Sequence, residues 1–143
     1  MDTTIAYIAG LFDGEGYIRL RLRERHKTQV SRGKVYPHNH KWYVVSTNTA
    51  NKNKECLLLC QELYGGRIYE RPPVTENRAK LYHWYLEGHK VLVFLKAIQP
   101  YAIIKKPHIE AILNNRENKE YASRLLRMFN KRGPIETSNI PLI

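Results

Sequence analysis

Between Tyr17 and Arg25 the chain alternates apolar and polar positions almost without a break. Ile18, Leu20 and Leu22 fall on one side, and Tyr17, Arg19, Arg21, Arg23 and Arg25 on the other. A period of two predicts a strand whose apolar side meets a core and whose other side is left for solvent or a ligand. Ahead of it, Thr3 to Phe12 is an apolar run of helical length, with Thr3 or Thr4 as its cap. The sequence Asp13-Gly14-Glu15-Gly16 then offers two glycines to stop that helix. Thr28 to His40 is polar and holds Gly33 and Pro37, which reads as a long turn or flap. Lys41 to Thr49, rich in Tyr, Val and Thr, predicts a second strand that forms a hairpin with the first.

The pattern then changes period. Cys56, Leu57, Leu59, Cys60 and Leu63 make the apolar side of a helix over Asn51 to Tyr64, closed by Gly65-Gly66. Arg67 to Arg71 is a third strand, stopped by Pro72-Pro73, and a polar loop carries residues 74 to 79. Lys80 to Glu87 is a fourth strand, with Trp84 and Leu86 toward the core. Gly88 leads into a helix from His89 to Ile98, Pro100 breaks it, and Pro107 suits the first turn of another. A last helix spans Asn118 to Phe129. Residues 1–132 read as a single domain and 133–143 as an irregular tail. The fold class is α+β, an αββαββα core with an antiparallel four-stranded sheet plus C-terminal helices. One sheet face is covered by helices, and the free face carries the arginine row.

Charge sharpens this picture. The chain of 143 residues holds 24 Lys+Arg against 13 Asp+Glu, a formal net charge of +11. That balance argues for a polyanionic partner: DNA, RNA or an anionic membrane surface. The hydrophobic fraction of 43% excludes a disordered basic tail. No apolar run approaches the length of a membrane-spanning helix, and Met1-Asp2-Thr3-Thr4 lacks the basic start of a secretory signal. Cys56 and Cys60, four apart on one helical face, read as small apolar residues rather than a disulfide or zinc site. The expected location is a reduced intracellular compartment, cytoplasm or organelle matrix.

Arg19, Arg21 and Arg23 share a face at a spacing of about 6.6 Å, and arginine both grips phosphate and reads guanine in the major groove. On the same face the second strand would bring His40, Trp42, Val44, Ser46 and Asn48. The third would bring Arg67, Tyr69 and Arg71, and the fourth Lys80, His83 and Tyr85. The long basic flap from Lys27 to Lys41 would extend the same surface. Ala6, Ala9 and Gly10 make a small-residue face on the first helix, which lets two helix backbones approach closely.

The nine residues Ile8-Ala9-Gly10-Leu11-Phe12-Asp13-Gly14-Glu15-Gly16 resemble the signature of the LAGLIDADG homing endonucleases. The resemblance continues at Leu63-Tyr64-Gly65-Gly66-Arg67-Ile68, at Trp84-Tyr85-Leu86-Glu87-Gly88 and at Gln99-Pro100-Tyr101 followed by Lys105-Lys106, so it covers about residues 4 to 115. It implies the homing endonuclease fold and site-specific, divalent-metal-dependent hydrolysis of double-stranded DNA. A chain with one motif is expected to act as a homodimer on a long pseudo-palindromic site, with Ala6, Ala9, Gly10 and Asp13 at the interface. The resemblance makes Glu15 the metal-binding acid and the Gly14 carbonyl a backbone ligand. The implied metal is Mg2+, with Mn2+ able to substitute and Ca2+ able to support binding without cleavage.

Lys105 matches the family's basic residue near the scissile phosphate, with Lys106 its neighbour and a possible substitute. A polar residue after the second strand orders active-site water in this family, and Asn48, Thr49 and Asn51 are the candidates. Asp13 reads as a helix-end residue that bonds nearby backbone ahead of a second site acid. The DNA-contact set is Tyr17, Arg19, Arg21, Arg23, Arg25, His40, Trp42, Ser46, Arg67, Tyr69, Arg71, Lys80, His83 and Lys106. Splicing residues are absent, so a free-standing or intron-encoded protein is expected rather than an intein. The alternatives are an intron RNA maturase of the same fold, a DNA-binding regulator that has lost catalysis and, remotely, an unrelated RNA-binding protein.

Overall fold

The structure is a computed structural model that describes residues 2–73 and 79–131, without the side chains of 26–31 and 34–39. The elements run α1 (Thr3–Glu15), β1 (Gly16–Ser31), β2 (Lys34–Asn51), α2 (Lys54–Tyr64), β3 (Arg67–Arg71), β4 (Leu81–Glu87), α3 (His89–Ile98), α4 (Lys106–Leu113) and α5 (Lys119–Phe129). The architecture is α+β, as the sequence pattern predicts. The four strands form one antiparallel sheet in the order β1-β2-β4-β3. The expected tail at 133–143 and most of the polar loop after Pro73 lie outside the described residues.

The core lies between one sheet face and the helices. Ile18, Trp84 and Leu86 from the strands join Ile8, Ala9 and Phe12 of α1, Leu57 and Cys60 of α2, and Val91, Phe94, Leu95 and Ile98 of α3. Phe94 is its hub, edge-on to Phe12 at 5.2 Å and to Trp84 at 5.0 Å. The Trp84 indole N–H donates to the Gly65 carbonyl at 2.9 Å, so the large ring is buried without an orphaned donor. α5 packs on α4 and β1, and the Asn130 amide donates to the Ile18 carbonyl at 3.3 Å.

Four expectations are corrected. The cap of α1 is Asp2, whose carboxylate accepts from the N–H groups of Thr4 and Ile5, in place of Thr3 or Thr4. α1 does not stop at Phe12 but runs through Gly14 to Glu15, because a lone glycine in a helix costs only about 1 kcal/mol and core packing of Phe12 and Asp13 holds the last turn. The expected flap is backbone ladder: β1 and β2 pair in register from Gly16↔Thr49 to Ser31↔Lys34. The turn is only Arg32-Gly33, at φ 52° and 75°, which suits a two-residue hairpin turn whose central residues both need positive φ. Pro37 is tolerated because β4 pairs with β2 only over Ser46–Asn51, so proline sits where β2 lacks a second neighbour. Finally, Leu22 is 55% exposed rather than in the core. The strand's alternation is real, but its hairpin runs past the helices that would cover it.

Candidate nucleic-acid interface and active site

Register decides which side chains share the free face. The pairs Tyr17↔Asn48, Arg19↔Ser46, Arg21↔Val44, Arg23↔Trp42 and Arg25↔His40 put the arginine row beside the residues expected from β2. Asn48↔Tyr85, Arg67↔Tyr85 and Tyr69↔His83 extend the face across β4 and β3. It is concave. Glu15, Tyr17, Arg19, Arg21, Ser46, Asn48, Ala50, Arg67, Tyr69, His83 and Tyr85 line an open hollow of ≈ 550 Å³.

The face is strongly cationic. Arg19, Arg21, Arg23, Arg25, Arg67 and Arg71 stand on it, and among the sheet residues opposing them Glu87 is the acid. Glu87 is engaged by Arg23 at 2.6 Å and accepts from the Tyr85 hydroxyl at 3.1 Å. Arg19 lies over the Tyr17 ring at 5.1 Å and Arg67 over Tyr85 at 5.0 Å, so each guanidinium is held against an aromatic face. His40 stacks on Trp42 at 5.1 Å. Lys80 stands apart from this set: it pairs with Glu70 at 3.3 Å. Glu70 opposes Tyr82, on the face that alternation turns away from His83 and Tyr85.

Glu15, the last residue of α1, is exposed and reaches the rim of the hollow. The Gly14 carbonyl lies in the same final turn, where helix carbonyls lack intrahelical partners. A carboxylate and a free carbonyl are the hard oxygen donors that magnesium and calcium prefer. They fit a divalent cation, but one chain supplies too few of them: among the described residues no group of three His, Cys, Asp or Glu could hold a metal.

Asp13 is buried, and the structure explains why a carboxylate is there. Its two oxygens accept from the backbone N–H of Ile103 at 2.8 Å and of Lys105 at 2.9 Å. The end of α1 thereby clamps the segment that enters α4. Lys105, half-buried, is the cap residue of α4, and exposed Lys106 is its first residue. Two lysines at a helix N-terminus oppose the helix dipole, so helix stability does not account for them.

Three more expected site residues are relocated. Thr49 lies on the helix-covered face, 1% exposed with its hydroxyl unpartnered, and cannot reach the hollow. Ala9 and Asp13 are buried in this chain's own core, so they are not on an outer face for a second chain. The outward positions of α1 are Tyr7, Gly10 and Gly14, with Ala6 half-buried at the edge. A Cβ on Gly10 or Gly14 would meet nothing within 4 Å, so both glycines leave room on that outer face. At Gly16, by contrast, a Cβ would collide with the Phe12 ring, so the strand can begin tight against α1. Alternation along β2 puts Asn48, and not Thr49, on the arginine side, and the register agrees.

No protein-family model matches the chain, and no curated protein is similar to it by sequence. Solved structures do match. The homing endonuclease I-CvuI, in complex with I-CreI target DNA and magnesium, aligns with TM-score 0.63 at 19% identity, over 94% of this chain and 86% of that one. The chain has the homing endonuclease fold. The archaeal intron-encoded homing endonuclease I-Vdi141I, complexed with DNA, shares this fold with TM-score 0.58 at 20% identity, over 94% of this chain and 89% of that one. The LAGLIDADG homing endonuclease I-GzeII, in complex with its DNA target, gives TM-score 0.54 at 16% identity, over 97% of this chain and 52% of that one.

Proposed function

We propose that this chain is a divalent-metal-dependent, site-specific endonuclease for double-stranded DNA that acts as a homodimer on a long pseudo-palindromic site. The observation that carries the reading is Glu15, an exposed carboxylate and the one acid among the residues that line the hollow. A lone acid there weakens attraction to a polyanion, so its presence calls for a reason other than binding.

The outer face of α1 supports the dimer. Gly10 and Gly14 leave open space beside exposed Tyr7, and a second α1 lying there about a twofold axis would make the contact isologous. Exposed Ile103, on the segment that Asp13 holds to α1, adds apolar surface nearby. Two Glu15 carboxylates and two Gly14 carbonyls would then share one region, supplying the donors that a single chain lacks. The span of the matches supports this: the chain covers most of I-CvuI and I-Vdi141I but about half of I-GzeII.

In such a site, Glu15 and the Gly14 carbonyl would hold magnesium, which supplies water activation and charge stabilisation at the phosphate. The arginine face holds the duplex by phosphate contacts and base edges. Lys105, anchored by Asp13, provides a positive charge for the negative charge that builds on a phosphate under attack. Lys106 extends that charge. The test is to incubate pure protein with DNA joining the flanks of the gene's host element, with magnesium or with chelator. Magnesium-dependent cutting by wild type, lost in Glu15→Gln while binding persists, supports the reading. Tight binding without cutting moves the protein to a regulator, and splicing of intron RNA moves it to a maturase.

A further inference from the structure

Three polar side chains from three different strands meet in the lining of the hollow. Asn48 of β2 donates through Nδ2 to the Tyr69 hydroxyl of β3 at 3.0 Å, and its Oδ1 lies 2.8 Å from Nδ1 of His83 on β4. The Tyr69 and His83 rings stack at 4.9 Å, nearly parallel at 4°. Nε2 of His83 is buried and has no partner. The Asn48 oxygen can only accept, so at this distance the proton sits on Nδ1 and is donated to Asn48, which leaves Nε2 bare. Burial and the neighbouring Arg71 hold the His83 pKa below the ordinary range, which keeps this neutral form in place. The Asn48 amide is therefore held one way round, oxygen to His83 and nitrogen to Tyr69.

A fixed amide polarity matters only to a ligand that offers a donor beside an acceptor. Phosphate offers acceptors alone, and a turn of the amide would find another arrangement with it. In the major groove adenine alone presents an acceptor, N7, beside a donor, N6, and a bidentate amide is its usual reader. We propose that Asn48 reads adenine in each half-site, and that His83 and Tyr69 are positioning residues that lock the amide for it. The inference rests on the DNA-binding reading above.

The test is selection of duplexes from a randomised pool, in calcium, by wild type and by four variants. Wild type is expected to enrich a pseudo-palindrome with adenine at one symmetric pair of positions. Asn48→Ala and His83→Leu should each lose that preference by about tenfold, at that position alone. Tyr69→Phe, which removes the acceptor for Nδ2 with little change of shape, should lose part of it. His83→Gln should restore it, since glutamine can donate to Oδ1. His83→Leu should add nothing in an Asn48→Ala background.

A uniform loss of affinity or cutting on all sequences overturns the proposal, because it would place Asn48 on phosphate or on active-site water. Equal behaviour of His83→Leu and His83→Gln, in variants that melt as wild type does, overturns the positioning role. Enrichment of a sequence whose preferences no variant alters sinks the proposal but spares the DNA-binding reading. Failure of wild type to enrich any sequence removes both.

Discussion

Asp13 shows how a single residue joins fold and site. A carboxylate near a helix C-terminus works against the dipole, yet here it accepts two backbone N–H groups from the segment leading into Lys105. Asparagine keeps the shape but turns one acceptor into a donor that faces an N–H. Asp13→Asn should cost about 1–3 kcal/mol, seen as a lower urea midpoint with unchanged slope, and should slow any cleavage that depends on Lys105. His108 makes a second residue-level case. Its Nε2–H donates to the Phe129 carbonyl at 3.2 Å, and burial, with the nearby Lys105 charge, depresses its pKa from the ordinary 6.5. The unfolded chain therefore takes up the proton first. The stability that neutral His108 contributes is whole above pH 6.5 and is lost as pH falls from there through the folded-state pKa. The melting temperature of wild type should drop more steeply below pH 6.5 than that of His108→Gln.

At the scale of elements, the strand pairs depend on a few backbone positions. Gly66 has φ +85°, and a Cβ there would press on the Tyr85 carbonyl and the Leu86 side chain. Gly66→Ala should cost at least about 1–3 kcal/mol from backbone strain, with the contact adding to it, and thermal melting measures the loss. The same glycine was legible in the sequence as the end of α2, because Gly-Gly after an apolar run is a strong stop signal. The extent of α1 and of the hairpin was not legible. Gly14 and Pro37 are breakers by local rule, and each is overridden by its surroundings, Gly14 by the packing of Phe12 and Asp13 and Pro37 by a missing neighbour strand. Cys56 and Cys60 share one face of α2, and burial pushes the Cys60 thiol up to about 12, far from reactivity.

For the whole molecule, the outer face of α1 and the charge of the sheet set the predictions. Gly10→Glu places a charge where this chain has open space, so the monomer should fold and melt as before. Across the twofold axis of the proposed dimer the two glutamates would meet, so sedimentation should show the variant as a monomer where wild type is a dimer. A dimer that survives Gly10→Glu would put the contact elsewhere.

The sequence by itself determined the order of elements, the arginine face and the segments that build the site. These rest on local physics: periods of two and 3.6, glycine and proline stops, and a charge imbalance visible in composition. The tertiary structure decided what depends on neighbours distant in the chain. It packed Thr49 into the core, turned Ala9 and Asp13 inward and Gly10 outward, and set Lys80 against Glu70. It also brought Asn48, Tyr69 and His83 together, although 14 to 35 positions separate them in the chain. Strand register and helix rotation settle such matters. Both are fixed by the packing of the entire core rather than by any one segment.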